Sequence, residues 1–168
     1  SIIESKEPRG HESTDGYMEV EIFGGTAPYS VVWTDGTGNS RASHDYYWGN
    51  NLRTQLFNLN KNHYRVNVTD QNQCEATVYY ELKAPAPILI ASLADSVTCY
   101  GYENGRIRLQ VEGGVKDGSA IGYQVEWKFE GQVIGSNALQ LSGLRAGTYT
   151  VQATDANGIL AVKTILLG

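Results

Sequence analysis

Positive charge is scarce in this chain: 13 Lys and Arg stand against 18 Asp and Glu, a net charge of −5, which is a poor basis for gripping a phosphate backbone. Cysteine occurs twice, too few for a disulfide-stapled miniprotein or a four-cysteine zinc site. Methionine occurs once, and no window carries apolar residues at the i, i+3, i+4, i+7 spacing of an amphipathic helix. No apolar run approaches the roughly 18 residues of a membrane helix. Also missing are a Gly-x-Ser-x-Gly elbow, a P-loop and a nucleotide fingerprint. His11, His44 and His63 lack the paired spacing of a zinc site. These absences predict no nucleic-acid partner, no membrane insertion, no enzyme, no metal and no cofactor. The chain begins at Ser1 without initiator Met, basic n-region or apolar signal core, and is expected to be a fragment of a longer chain.

What is present belongs to strands and turns: 19 Gly and 11 Tyr, with abundant Thr, Val and Asn. The fold class expected is all-β. The sequence also repeats itself. Asp15-Gly16-Tyr17-Met18-Glu19-Val20-Glu21-Ile22-Phe23-Gly24-Gly25 returns as Asn104-Gly105-Arg106-Ile107-Arg108-Leu109-Gln110-Val111-Glu112-Gly113-Gly114. Tyr29-Ser30-Val31-Val32-Trp33 returns as Tyr123-Gln124-Val125-Glu126-Trp127. Leu59 and Tyr64 through Asn72 return as Leu144 and Tyr149 through Asn157. Between the copies lies Pro85-Ala86-Pro87, which reads as a short extended linker limiting the angle between domains. The expected domains are residues 1–84 and 85–168.

Each segment has a physical reading. Met18, Val20 and Ile22 alternate with Glu19 and Glu21, as Ile107, Leu109 and Val111 do with Arg108 and Gln110, so one face is expected on a core and the other in water. Asp15-Gly16 and Asn104-Gly105 read as turns before that strand, and the Gly-Gly pairs as bends after it rather than phosphate cradles. Trp33 and Trp127 are expected to fill the two cores. Leu144-Arg145-Ala146-Gly147-Thr148-Tyr149 has the spacing of a tyrosine corner, in which the phenol bonds backbone a few residues upstream. The first copy keeps Tyr64 but puts Asn62 at the glycine position, a residue that tolerates left-handed geometry. Asp155-Ala156-Asn157-Gly158 and Asp70-Gln71-Asn72-Gln73 read as hairpin turns. The expected architecture is two tandem immunoglobulin-like β-sandwich domains of about seven strands each.

The order Cys-x-Gly-x-x-Asn-Gly, alternating strand, Gly-Gly, Tyr-x-Val-x-Trp, Leu-x-Ala-Gly-Thr-Tyr, Thr-Asp-x-Asn-Gly runs from Cys99 to Gly158. It resembles the SprB-type repeat of long Bacteroidetes cell-surface adhesins, including those of gliding motility. The first copy resembles it from Asp15 to Asn72, through Gly24-Gly25-Thr26-Ala27-Pro28-Tyr29. It departs at Pro8-Arg9-Gly10-His11, Asn62 and Gln73. The resemblance implies an extracellular, cell-surface setting with neighbouring repeats of the same chain as partners, a stalk or adhesion role, and no catalytic residues. The alternative is an accessory carbohydrate-binding module of a secreted glycan-degrading enzyme.

In the repeat one Cys tends to precede the Asn-Gly turn and another to follow the late hairpin. Here Cys74 is matched by Ile159 and Cys99 by Gly10, so neither copy closes its own bridge. In an end-to-end array the two would lie tens of ångströms apart, against about 7 Å between Cα atoms for a disulfide, and both are expected as unpaired thiols. The first copy spends 26 positions between Trp33 and Leu59 where the second spends 17 from Trp127 to Leu144. The surplus includes His44, Asp45, Tyr46, Tyr47, Trp48 and Asn50. Such aromatics beside amides and carboxylates suit stacking on sugar rings, so a surface glycan or protein is the candidate ligand. The other reading is packing, with Tyr46 and Trp48 inward on an edge strand. Asp70, Asn72, Asp155 and Asn157 could offer oxygens to calcium, but Asp-x-Asn-Gly already has a meaning as turn chemistry. Arg106 and Arg108 read as a solvated stripe near Glu112.

Overall fold

Alternating β-branched and aromatic residues between glycine-bearing turns leave little to propagate a helix, and the described residues form fourteen strands. The computed structural model describes the backbone of residues 1–47, 52–99 and 101–168, and the side chains of the same residues apart from 43–47. It divides into two compact units, Ser1–Ala84 and Pro85–Gly168.

The first unit contains β1 (Ile2–Lys6), β2 (Gly16–Ile22), β3 (Tyr29–Asp35), β4 (Ser40–Tyr47), β5 (Leu52–Leu59), β6 (Asn62–Thr69) and β7 (Glu75–Leu82). They form an antiparallel sheet β1-β2-β5 and a second, β4-β3-β6-β7. The second unit contains β8 (Leu89–Asp95), β9 (Gly105–Glu112), β10 (Gln124–Phe129), β11 (Gln132–Ser136), β12 (Gln140–Leu144), β13 (Gly147–Thr154) and β14 (Leu160–Leu167). Its sheets are β8-β9-β12 and β11-β10-β13-β14. Each pair of sheets makes an immunoglobulin-like sandwich with its own core.

Both cores are built around an indole. Trp33 and Trp127 are wholly buried, and each satisfies its N–H inside the unit: Trp33 Nε1 donates to Thr54 Oγ1 at 3.1 Å and Trp127 Nε1 to the Ala138 carbonyl at 2.8 Å. Truncating either to Ala would cost about 3–5 kcal/mol. The inward set also includes Met18, Val20, Tyr29, Val31 and Val66 in the first unit. Ile107, Leu109, Tyr123, Val125 and Val151 take the same part in the second. In the final strands Leu82, Ile165 and Leu167 face inward.

Four expectations need correction. Gly16 and Gly105 are not turn residues but the first positions of β2 and β9. They are glycine for lack of space: a Cβ on Gly16 would lie 2.7 Å from the Leu59 carbonyl oxygen and from a Leu82 methyl, and one on Gly105 would lie 2.5 Å from a Leu167 methyl. Glu19 is not in water. It is 6% exposed, covered on the outer sheet face by the Tyr17 hydroxyl at 2.8 Å and Arg53 at 3.6 Å. Asn62 is not among the non-glycine residues with left-handed backbone. Gly147 is required instead because a Cβ there would meet the Phe129 ring at 2.5 Å, and the first unit carries Asp35 where the second carries Phe129. Finally, Pro85–Pro87, expected as a linker between the copies, is bonded into the second unit. The Ala86 carbonyl accepts the Gly114 N–H at 2.8 Å, which ties this segment to the second unit. Arg106 and Arg108 are exposed, and Arg108 pairs with Asp95 at 3.2 Å.

Candidate functional site

At one end of each sandwich the repeated polar residues converge on one carboxylate. In the second unit Asp155 Oδ1 accepts the N–H groups of Asn157 and Ile159, and its Oδ2 accepts that of Val115, all at 2.9 Å. In the first, Asp70 Oδ1 accepts from Asn72 at 2.9 Å and Cys74 at 2.8 Å, and Oδ2 from Thr26 at 3.0 Å. The carboxylate thus closes its own hairpin and ties it to the bend after Gly-Gly. Backbone N–H groups of Cys74 and Thr26 aimed at Asp70 hold its carboxyl below the usual 3.8. The Asp70 and Asp155 carboxylates, named above as possible calcium oxygens, each accept three backbone N–H groups.

The Gly-Gly bend needs left-handed backbone, with φ of 79° and 76° at Gly24 and Gly25 and of 83° and 59° at Gly113 and Gly114. It also frees a carbonyl for the next strand's tyrosine: Tyr29 donates to Gly24 O at 2.8 Å and Tyr123 to Gly113 O at 2.7 Å. At the opposite turn Tyr64 donates to Asn60 O at 2.9 Å and Tyr149 to Arg145 O at 2.8 Å. These are tyrosine corners reaching four residues upstream. Burial is the first cause that raises the phenol pKa at Tyr64, Tyr123 and Tyr149.

Sequence reasoning missed two further elements of this frame. Asn58 (φ 56°) and Gly143 (φ 72°) are matching left-handed bulge residues just before Leu59 and Leu144. The shared Asn/Gly preference for that conformation was a usable signal. The carboxylate hub was the other, read only as local turn chemistry although its third bond reaches 44 positions back in sequence, from Asp70 to Thr26.

The candidate ligand stretch falls at the edge strand β4, which pairs with β3 in the register Val31↔His44 and Tyr29↔Tyr47. Backbone from His44 to Tyr47, including Asp45 and Tyr46, is therefore placed on a sheet edge, while Trp48 and Asn50 lie outside the described residues. Cys74 and Cys99 are exposed free thiols. Among the described residues no group of three or more His, Cys, Asp or Glu side chains is placed to hold a metal ion.

A separate concavity opens in the first unit between the sheets, beside the Gly24-Gly25 bend. It encloses about 370 Å³ and is lined mostly by apolar groups, among them Val20, Ile22, Val68, Ala76 and Val78, with Ser1 and Cys74 at its rim. Phe23 beside it is 62% exposed. The counterpart position in the second unit is filled by that unit's own chain. Ile90 packs against its core, and the Lys163 ammonium, at the position matching Val78, donates to Ile90 O at 2.9 Å.

No family model matches the chain, and no curated protein does. Among solved structures it is similar to the two-domain pair DIP-gamma IG1+IG2, at 12% identity and TM-score 0.51, covering all of this chain and 96% of that one. It is also similar to a C-terminal 282-residue fragment of intimin in complex with the intimin-binding domain of the translocated intimin receptor. There the identity is 15% and the TM-score 0.46, over 99% of this chain and 64% of that one. A third is a two-domain fibronectin type III segment from chicken tenascin, at 10% identity and TM-score 0.37, covering 99% and 97%. The first likeness establishes the fold and nothing about activity: this chain is a tandem of immunoglobulin-like β-sandwiches.

Proposed function

We propose that the chain is a non-enzymatic pair of SprB-type repeats from a large extracellular bacterial protein, acting as a stalk or adhesion module. One observation carries the reading: the polar residues that recur between the copies are consumed in holding each copy together. The carboxylates of Asp70 and Asp155 accept three backbone N–H groups each. The phenols of Tyr29, Tyr64, Tyr123 and Tyr149 each donate to a backbone carbonyl. Among the described residues these recurring groups are spent on backbone partners rather than held out as a nucleophile or a general acid, so repetition here preserves a scaffold rather than a reaction centre. Recognition would then belong to residues that do not recur, above all the aromatic stretch from His44 to Asn50, of which the backbone of His44–Tyr47 lies at the edge of the first sandwich.

The test combines force and ligand. Pulling the chain between handles should give two separate unfolding events, each releasing about 250–300 Å of contour for a unit of this size. Titration of a broad glycan panel against tryptophan emission should then be compared with Trp48→Ala. A saturable glycan signal lost in that variant would move the assignment to an accessory carbohydrate-binding module. A single cooperative rupture, or turnover of any offered glycan, would overturn the stalk reading.

A further inference from the structure

We propose that the groove of the first unit is the seat of an extended, proline-led apolar strand that continues β1 ahead of Ser1. This goes beyond the stalk reading and does not depend on it. The second unit shows how such a groove is filled. There the strand against β9 begins early: Leu89 pairs with Glu112 and Ile90 with Val111. Ahead of them the Ala86 carbonyl receives the Gly114 N–H, and the Pro87 carbonyl crosses so close to Gly113 that a Cβ on that glycine would lie 1.9 Å from it. Ile88 passes Gly114 so closely that a Cβ there would lie 2.8 Å from its Cγ1.

The first unit keeps the glycine pair that receives the strand's head. Gly24 and Gly25 match Gly113 and Gly114 in sequence and in left-handed backbone. A Cβ on Gly24 would meet nothing within 4 Å, so its freedom from a side chain serves no contact the described residues make. Pairing of β1 with β2 stops where Ser1 and Glu21 exchange N–H···O bonds at 2.9 Å. Ile22 and Phe23, with the two glycines after them, continue beyond it and line the groove. Val78 stands where Lys163 reaches the filling strand in the second unit, so an apolar side chain replaces a charged one at this point of the groove. A strand arriving there would bring main-chain pairing to the exposed edge and alternate apolar side chains to the gap between the sheets, the two terms that drive strand addition. Proline at its head suits a position that needs a carbonyl but no amide.

Cys74, at the rim, reports occupancy, and Cys99 in the other unit is an internal reference. The full chain is compared with a version carrying Pro-Ala-Pro-Ile-Leu-Ile joined ahead of Ser1, and with one whose joined hexapeptide has Ser and Gly in place of the apolar residues. The apolar extension should slow alkylation of Cys74 relative to Cys99 by at least about tenfold, and slow hydrogen exchange at Ile22–Gly25 in parallel. The Ser/Gly extension should change neither. No slowing, or equal slowing by both extensions, overturns the proposal. Equal protection by the free hexapeptide at micromolar concentration, or protection that rises with protein concentration through self-association, would assign the groove to a separate chain and overturn it as well.

Discussion

Replacing Asp155 by Ala removes one side chain and strands three backbone donors, those of Val115, Asn157 and Ile159, each bonded at 2.9 Å. Hydrogen bonds to a charged acceptor contribute about 1.5–3 kcal/mol apiece. The three donors lie in turns that water can reach once the carboxylate is gone, so the simple total overstates the loss. Asp155 is itself 5% exposed, and we expect the second unit to lose about 3 kcal/mol, equivalent to roughly 12–24 °C in midpoint for a domain of this size. Asp155→Asn keeps an acceptor toward the hairpin and places an amide NH₂ against the Val115 N–H or the reverse, so it should cost about half as much. Native-state hydrogen exchange read by mass spectrometry separates the units: peptides from 85–168 should lose protection and those from 1–84 should keep theirs. A loss below about 0.5 kcal/mol, the usual scatter of surface substitutions, would refute the view that this carboxylate holds the end of the sandwich together.

Left-handed backbone gives a paired expectation: Gln73 (φ 64°) occupies the position of Gly158 (φ 77°), and a Cβ on Gly158 would meet nothing within 4 Å. Gln73→Gly should therefore stabilise the first unit by about 1 kcal/mol and Gly158→Ala should destabilise the second by a similar amount, both read by denaturant midpoints. Gly105→Ala forces a Cβ to within 2.5 Å of Leu167 and should cost about 1–3 kcal/mol by overpacking, with Gly16→Ala parallel to it in the first unit. Tyr17 is pushed up to about 12 by its hydrogen bond to Glu19, helped by burial and by the charges of Glu19 and Glu4. A phenol raised in the folded state favours folding below its ordinary value of 10.0, and that contribution is lost as pH climbs through the folded value. Tyrosinate absorbance should show one phenol moving down toward 10 in Glu19→Gln; an unchanged titration would disprove the pairing. Asp15, Asp35, Asp70 and Asp117 are held below 3.8, chiefly by hydrogen bonds to Arg9, Thr37, Cys74 and Ser119 respectively. Their contribution is complete above 3.8 and fades as pH falls through the lower folded values. Acid unfolding followed by hydrogen exchange should reach the first unit, which holds three of these four, at the higher pH.

The strands and the inward indoles were legible because period-two alternation and repetition give independent readings of one geometry. Met18, Val20, Trp33 and their counterparts each had a partner residue that confirmed which face was apolar. Glu19 was misread because alternation reports which side of a sheet a residue is on and says nothing about what else lies on that side. Tyr17 and Arg53, from two different strands, cover it. Gly16 and Gly105 were misread for a related reason. A glycine followed by a strand looks like a turn, whereas the constraint comes from Leu59, Leu82, Leu144 and Leu167, far along the chain. The groove in the first unit could not be read at all, since it depends on what does not lie between two sheets.

The differences between the copies follow the same logic of distant contact. The Phe129 ring meets that of Tyr149 at a tilt of 46°, 4.8 Å between centroids, and carries the Arg145 guanidinium at 4.4 Å. That ring leaves room only for a glycine at 147, where a Cβ would strike it. The first unit has Asp35 at the ring's position and uses the carboxylate to accept from Thr37 and Asn39. The space so released admits Asn62, whose amide oxygen approaches Gly36 so closely that a Cβ there would lie 2.6 Å away. One substitution thus required two others, and neither reads as a departure once its partners are counted. The frame constrains sets of residues rather than single positions. The network formed by Asp70 with its three amides and by Asp155 with its own is the same in both units, and removing either carboxylate would leave three backbone donors without their acceptor. What varies freely is whatever touches nothing else in its unit, and on this sandwich that means the loops and sheet edges where a partner could bind.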